Sequence, residues 1–460
     1  MPFAPVPIII RWISRRALRW IYREVRFVGR ERVPSKGATL LFGNHPNDLP
    51  DVLAGFFTTD RPLRYVATIS ASTLPLAQAT YHGMGVIPVT RVRDARKMRA
   101  RGLDMATVNR SAFELVQQAF RDGDIVGVFP EGGVNDSSVL GKPRAGVAKM
   151  ALKQLDDGAK TDLILVSFGV QYEAPQVARS DVVVVVGQPF SLRDWAKSQH
   201  DPSPAALSTR LHDELVSVVR SSSSWAIAEA RNRLVAAVVA LNASSGEPLL
   251  ETAARLQPRC AQLVEGRDEN QCFSEPDEWR TIADELAEAV YRVGGIATST
   301  RDTARVLDAA GIANPQAEWP SGFWMIAWAL PALLGLLLIG PLQVVAWRFA
   351  KRSARVRTDV VARAIMPGLH LILLGYVVLG GLIALGFRAA SVSAWWTVPV
   401  VMLLPRLGDM GIAWRDAVRA WLLRSRVRQL PEADRAAIRA AALRVRSAWT
   451  TLTVTSPSPL

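Results

Sequence analysis

The sequence predicts an α/β domain with a largely parallel sheet flanked by helices, followed by a C-terminal helical transmembrane region. Three observations carry that expectation. Between residues 24 and 190, short β-rich runs alternate with helical stretches, the order of a sheet whose strands are joined by covering helices. Two of the runs, LILVSF from Leu163 and VVVVV from Val182, are almost continuously apolar, as strands covered on both faces are. Beyond residue 322 the chain contains three long uncharged stretches, and a helix needs about 20 apolar residues to span a bilayer core.

The first residues, MPFAPVPIII, lack a basic leader region and meet Arg11 almost at once, so no cleavable signal peptide is expected. Residues 1–23 read as a basic amphipathic helix. Ile10, Ile13, Ala17, Trp20 and Ile21 share one face, and Arg11, Arg15, Arg19 and Arg23 recur every fourth residue on another. Such a helix fits an anionic membrane interface; the competing reading is a surface helix packed on its own domain. Residues 24–195 form the α/β domain, with strand runs EVRFVG, ATLLFG, RYVATI, GVIPV, IVGVF, LILVSFGVQY and DVVVVVG and helical patterns over Asp94–Phe120 and Ala145–Leu155. Residues 196–320 are helical in pattern, with breaks at Ser221–Ser224 and SSGEP, and neither His200 nor His212 has a recognisable partner.

Residues 321–411 hold two to three hydrophobic segments, and residues 412–460 read as a basic tail. Phe323–Trp347 has 25 residues without charge, Ala364–Phe387 has 24, and Ala389–Pro405 has 17. Trp324, Trp328, Trp347, Trp395 and Trp396 sit mostly near the ends of these runs, as interfacial aromatics do. The loop Arg348–Arg363 carries six basic residues against one acidic, which favours the cytoplasm. The tail is basic as well. Both face the cytoplasm together with the N-terminal domain only if one run does not cross. Pro331, Gly335, Gly340 and Pro341 mark the first run as one that breaks into a re-entrant or interfacial pair. The expectation is an integral membrane protein with its α/β domain on the cytoplasmic side.

Lys and Arg total 55 against 41 Asp and Glu, a formal charge of +14. Such a balance points to anionic partners. Fourteen Trp and a positive mean hydropathy favour anionic membrane lipid and argue against nucleic acid. Cys260 and Cys272 have neither metal-ligand spacing nor a disulfide framework, and no metal constellation is expected.

Four local patterns in the α/β domain can carry chemistry. GNHPNDLPDVL, Gly43–Leu53, follows a strand and places His45 near Asp48 and Asp51. A histidine oriented by a carboxylate is a simple general base. GVIPVTR, Gly85–Arg91, runs from a strand into a fixed positive charge. VFPEGGVND, Val128–Asp136, ends a strand in Glu131, Gly132 and Gly133, where a ligand can approach the backbone closely. ILVSFGVQYEAP, Ile164–Pro175, is a strand entering a Pro-bounded loop. Each alone is weak; Gly-Gly pairs, strand-end acids and single arginines are mostly ordinary turns and solvated charges.

Taken together, in this order and spacing, the four patterns resemble the phospholipid/glycerol acyltransferase family over about residues 25–195. The likeness is greatest to fungal-type glycerol-3-phosphate or dihydroxyacetone-phosphate acyltransferases, through FPEGG and the following PRAGVAKMAL, Pro143–Leu152. The sequence departs from the family where a Ser-His pair usually follows FPEGG; here Val134 and Asn135 stand. The commonest His-to-Asp spacing would land on Pro50. A variant form beginning His-Pro-Asn lands on Asp51, which leaves Asp48 to cap the following helix.

The resemblance implies acyl transfer from acyl-CoA or acyl carrier protein to a glycerol phosphate hydroxyl. His45 is then the base and Asp51 its orienting carboxylate. Gly85, Arg91, Glu131, Gly132, Gly133 and Arg144 form the acceptor site, with Arg91 and Arg144 on the phosphate and Glu131 and Gly132 shaping the pocket or binding the free hydroxyl. No cofactor is implied. A lysolipid such as 1-acylglycerol 3-phosphate is the alternative acceptor, and a non-catalytic membrane lipid-binding protein on the same fold is the alternative of another class. No Gly-x-Ser-x-Gly elbow is present, which argues against a serine hydrolase.

Overall fold

The computed structural model describes residues 5–68, 85–90, 104–135, 137–156, 162–174, 177–219, 221–242, 247–265, 276–312, 319–354 and 359–455, with a few isolated residues between them. The chain divides into two compact units. The first comprises residues 1–19, 25–171 and 182–221, and the second residues 20–24, 172–181 and 222–460.

The first unit is built on eight strands: β1 (Val25–Val28), β2 (Thr39–Gly43), β3 (Leu63–Thr68), β4 (Ile87–Val89), β5 (Ile125–Val128), β6 (Ile164–Tyr172), β7 (Val182–Val186) and β8 (Phe190–Ser191). They lie in the order β1-β7-β6-β2-β5-β3-β4, with β8 pairing β6. Parallel pairing joins β1 to β7, β2 to both β5 and β6, and β3 to both β4 and β5. All seven runs read from the sequence are strands. The two-residue β8, antiparallel to β6, was not among them, because a pair of residues leaves no periodicity to detect.

Helices cover the sheet. They are α1 (Pro5–Ile21), α2 (Leu49–Phe56), α3 (Met105–Arg121), α4 (Ala145–Asp156), α5 (Leu192–Ser198) and α6 (Pro204–Val218). Strand alternation sends Leu40, Phe42, Val126 and Val128 to one face, where they form a core with Val116 and Phe120 of α3, Ala148 of α4 and Leu207, Leu211 and Leu215 of α6. Leu207, Leu211 and Leu215 recur at helical spacing, so α6 presents one apolar stripe to the sheet. The α/β unit therefore extends past the boundary at residue 195 that the sequence suggested. An amphipathic helix shows that it covers an apolar surface without showing which one.

The helical pattern read from Asp94 is described from Met105 onward. Helix α1 packs through Arg11, whose guanidinium donates to the Thr59 carbonyl, and through Arg11 and Arg15 over the Phe57 ring. Trp12 is 55% exposed. The arginine ladder stops short of Arg23, because the helix ends at Ile21.

The second unit is helical, with α7 (Trp225–Asn242), α8 (Leu249–Glu265), α9 (Pro276–Arg292), α10 (Thr300–Ala309), α11 (Gly322–Ala327), α12 (Ala329–Ser353), α13 (Asp359–Ala389), α14 (Thr397–Gln429) and α15 (Glu432–Thr455). Helices α7–α10 share one core with Leu423 and Val427 of α14 and with Ile438, Ala442, Val445, Trp449 and Leu452 of α15. The stretch 412–460 is therefore no tail. Its two helices complete that core, and some of its arginines bond inward, Arg419 to Asp302 and Arg439 to the Ala310 carbonyl.

Helix α12 runs unbroken through Pro341 to Ser353. The break falls at Trp328, between α11 and α12, instead of at Pro331, Gly335, Gly340 or Pro341. Pro331 occupies the first turn, where its missing N–H costs nothing. Gly335 is pressed against α14, where an added Cβ would lie 1.9 Å from the Leu407 carbonyl oxygen. Among the described residues α12 is the one helix long and apolar enough to cross a membrane, and only 22% of its apolar window is buried.

Candidate active site

The four sequence patterns converge unevenly. His45 follows the carboxyl end of β2, the edge at which open parallel sheets place ligands. Its Nδ1 lies 3.0 Å from Asp51 Oδ2, and Asp51 is fully buried in the first turn of α2. Asp51 Oδ2 also accepts the Asn47 N–H at 2.6 Å. A carboxylate facing Nδ1 favours the tautomer with the proton there, which leaves the lone pair on Nε2. Asp51 is thus the carboxylate in contact with the ring. Asp48 stands at the N-cap of α2 but forms no side-chain cap bond, and its φ of 53° places it in the left-handed region.

Neighbouring side chains fix the imidazole. Asn44 pairs with β6 as a peptide would: its Nδ2 donates to the Val170 carbonyl at 3.1 Å, and its Oδ1 accepts the Val170 N–H at 2.8 Å. The chain therefore leaves β2 in one defined direction. The His45 ring stacks on Phe129, with centroids 4.0 Å apart and planes 11° from parallel. Phe129 in turn stacks on Tyr65 at 5.6 Å. Space for this column comes from Gly127, where a Cβ would lie 2.7 Å from the Tyr65 ring. The buried Tyr65 hydroxyl has no hydrogen-bond partner. Burial, and then the Asp51 charge, raise its pKa well above the ordinary tyrosine value.

Glu131 faces inward. Its Oε1 accepts the His45 N–H at 3.2 Å, and its Oε2 accepts the Gly141 N–H at 2.9 Å and Asn135 Nδ2 at 2.7 Å. Burial raises its pKa, and the hydrogen bonds from Asn135, Gly141 and His45 oppose that rise. A carboxylate has about four lone-pair sites, so three inward donors leave about one for a substrate hydroxyl. Most of its hydrogen-bonding capacity thus shapes the loop around His45, the pocket-shaping side of the role that the resemblance implied for it.

Gly132 has φ of 75°, a conformation that glycine adopts without strain, and its N–H donates to the Phe129 carbonyl at 3.0 Å. Arg144, one residue before α4, lies against it. Arg144 Nε donates to the Glu131 carbonyl at 3.0 Å, and a Cβ on Gly132 would lie 2.4 Å from that nitrogen.

Of the residues read from the sequence, the fold gathers His45, Asp51, Glu131, Gly132, Gly133 and Arg144. Gly85 is elsewhere. It precedes the amino end of β4, and β4 runs parallel to β3 and so to its neighbours, which puts Gly85 at the opposite edge of the sheet from His45. Arg91 lies outside the described residues. Asn44, Asn47, Tyr65, Phe129 and Asn135 were not singled out as site residues. Asn44 and Asn47, beside His45 in its motif, and Asn135, where the sequence departs from the family, carried signals that could have found them. Among the described residues no cluster of three His, Cys, Asp or Glu side chains could hold a metal ion.

A partly buried histidine on a fully buried aspartate, beside a glycine-rich loop at the carboxyl edge of a parallel sheet, is an arrangement able to do general-base chemistry. Residues 24–170 match the family model described as Acyltransferase. Among curated proteins, the chain is similar to Glycerol-3-phosphate O-acyltransferase 1 of Saccharomyces cerevisiae. The two are 32% identical over 101 residues, which is 22% of this chain and 13% of that protein. The chain thus spans a small part of the curated relative's length. Among solved structures, it is similar to the 1-acyl-sn-glycerophosphate (LPA) acyltransferase PlsC from Thermotoga maritima. That likeness has 16% identity and a TM-score of 0.34, covering 45% of this chain and 76% of the other.

Proposed function

We propose that the protein is a membrane-bound O-acyltransferase that moves a fatty acyl group from a thioester, acyl-CoA or acyl carrier protein, to the hydroxyl of glycerol 3-phosphate or dihydroxyacetone phosphate. The observation that carries the reading is the 3.0 Å contact between His45 Nδ1 and buried Asp51, which leaves Nε2 to act as base. In the reaction, Nε2 takes the acceptor's hydroxyl proton as that oxygen attacks the thioester carbonyl. Asp51 stabilises the imidazolium that forms. The tetrahedral oxyanion collapses, the C–S bond breaks, and the departing thiolate receives the proton from Nε2. General-base assistance of this kind contributes about 10²–10⁴-fold.

The oxyanion needs donors. The Gly132 N–H is already bonded to Phe129, so Gly133 is the better candidate within the glycine pair. Arg144 serves the acceptor phosphate. Its Nε is held by the Glu131 carbonyl, which aims the guanidinium while leaving its terminal nitrogens for a bidentate contact. Arg91 is assigned to the same phosphate on the resemblance alone. Helix α12 supports membrane attachment, and the basic loop at residues 348–363 supports a cytoplasmic domain. Anionic lipid is the expected surface partner.

The test is a competition among glycerol 3-phosphate, dihydroxyacetone phosphate and 1-acylglycerol 3-phosphate as acceptors, with acyl-CoA and acyl carrier protein as donors. Preference for either of the first two supports the reading. Preference for the lysolipid moves the acceptor, and transfer to none of the three ends the enzymatic reading. Reporter fusions at the amino terminus and within residues 348–363 test the orientation, and opposite sides for the two would overturn it.

A further inference from the structure

The residues after FPEGG close a hydrogen-bonded ring around the backbone of His45. The His45 N–H donates to Glu131 Oε1 at 3.2 Å. Glu131 Oε2 accepts Asn135 Nδ2 at 2.7 Å. The Asn135 N–H returns to the His45 carbonyl at 2.9 Å. Both polar groups of the His45 residue backbone are therefore held by two residues of the glycine-rich loop. Asn135 is itself anchored, with Nδ2 also donating to the Val139 carbonyl at 2.9 Å and Oδ1 accepting the Ser137 N–H at 3.1 Å.

We propose that Asn135 is a positioning residue for His45: its side-chain amide holds the Glu131 carboxylate against the His45 N–H, and so sets where the imidazole stands. The proposal rests on His45 acting as the general base. Asp51 fixes the ring's tilt and tautomer, and Phe129 supports one face of the ring. Neither fixes the Cα from which the ring projects; the ring of hydrogen bonds does. The amide meets both demands at position 135, since it gives a donor to a carboxylate and an acceptor to the Ser137 N–H. The carboxylate itself touches no reacting atom in this scheme. Its charge matters because an ionised acceptor holds its donors more tightly than a neutral one.

Asn135→Ala keeps the backbone bond to His45 and removes the grip on Glu131. Its kcat is expected to fall about tenfold, the scale of one charge-assisted hydrogen bond, with acceptor KM within about twofold of the wild type. Asn135→Asp keeps the shape and places a second carboxyl against Glu131. Two facing carboxyl groups share a proton at low pH and repel when both ionise. The shared proton restores a donor at that position. The ratio of its kcat to that of the wild type should therefore rise as pH falls, and taking the ratio removes the titration of His45 itself. An unchanged kcat in the alanine variant, or a loss confined to KM, overturns the proposal; so does a pH-independent ratio for the aspartate variant. Failure of the underlying reading looks different, since His45→Ala would then retain full activity whatever the Asn135 variants do.

Discussion

Two clusters of buried carboxylates, one in each unit, use the same chemistry to opposite ends. In the α/β unit, Asp51 is fully buried and faces His45. In the helical unit, Asp181 is buried as completely and Asp302 nearly so. Asp181 takes a bidentate contact from Arg23, with Nε to Oδ1 at 3.0 Å and Nη2 to Oδ2 at 2.9 Å. Asp302 accepts from Arg23 at 3.3 Å, from Arg419 at 2.9 Å and from the Ile296 N–H at 2.9 Å. Arg301 reaches Asp181 and Glu24. Every carboxylate in this second cluster meets a cation or a backbone donor, and the cations are spent on carboxylates. The Asp51 pair ends differently, on an imidazole with a lone pair still to use. Burial of a charged pair therefore does not by itself mark a site; an unspent reactive atom does.

The largest effects should separate the clusters by what fails. His45→Ala is expected to lower acyl transfer by about 10²–10⁴-fold while the protein stays folded. Asp51→Asn should act in the same direction by favouring the wrong tautomer. Matched circular dichroism spectra and transfer rates in the same detergent would check both, and a retained rate in either variant would break the pairing. Asp181→Ala should fail as a fold. Removing one partner from a buried ion pair leaves uncompensated charge, at about 3–5 kcal/mol. The readouts are yield and melting temperature, and a normal melting temperature would show that the cluster is not structural.

Glu173 sharpens the contrast, because it is a strongly shifted carboxyl group that lies in the closed cluster. Its Oε1 accepts the Thr300 N–H at 3.0 Å and hydroxyl at 2.8 Å, while Oε2 has no partner. Burial, and then the Asp181 charge, push its pKa up from 4.5 to about 7. Between those values the folded chain binds more protons than the unfolded one, so stability falls as pH rises from about 4.5 through about 7. Glu173→Gln removes that dependence. It should raise stability above pH 7 by on the order of 3 kcal/mol, with little change below pH 4.5. Melting temperatures measured from pH 5 to 8 test this, and parallel curves for the two proteins would refute it.

What the sequence made legible follows from what kind of information each feature needs. The strands were readable because their apolar runs are local. Asp51 was readable because a motif spacing chose it over Asp48. Arg23 was misplaced because a four-residue ladder does not say where its helix stops. Its real partners, Asp181 and Asp302, are 158 and 279 residues away along the chain. Glu131 looked like an acceptor-binding residue at a strand end. Its inward role depends on Asn135 and Gly141 folding back onto it, which no local pattern encodes. The basic stretch after residue 412 read as a tail because charge is conspicuous and a buried helix face with long spacing is not.

Asp48 yields the smallest effect and bears most directly on that choice of carboxylate. A side-chain cap at Asp48 would make its removal cost about 1 kcal/mol. The structure has the residue at the cap position without the cap bond, at φ of 53° and ψ of −122°. For an L-residue other than glycine this backbone is strained, by about 1–3 kcal/mol. Relieving the strain and losing the side chain oppose each other. Asp48→Gly should therefore raise the melting temperature by no more than a few degrees and leave kcat within about twofold. Asp48→Ala relieves nothing and should be less stable than the glycine variant. If Asp48→Gly instead lost activity on the scale of Asp51→Asn, the carboxylate that orients His45 would have to be reassigned, and with it the open end of the cluster that distinguishes this site from the closed one.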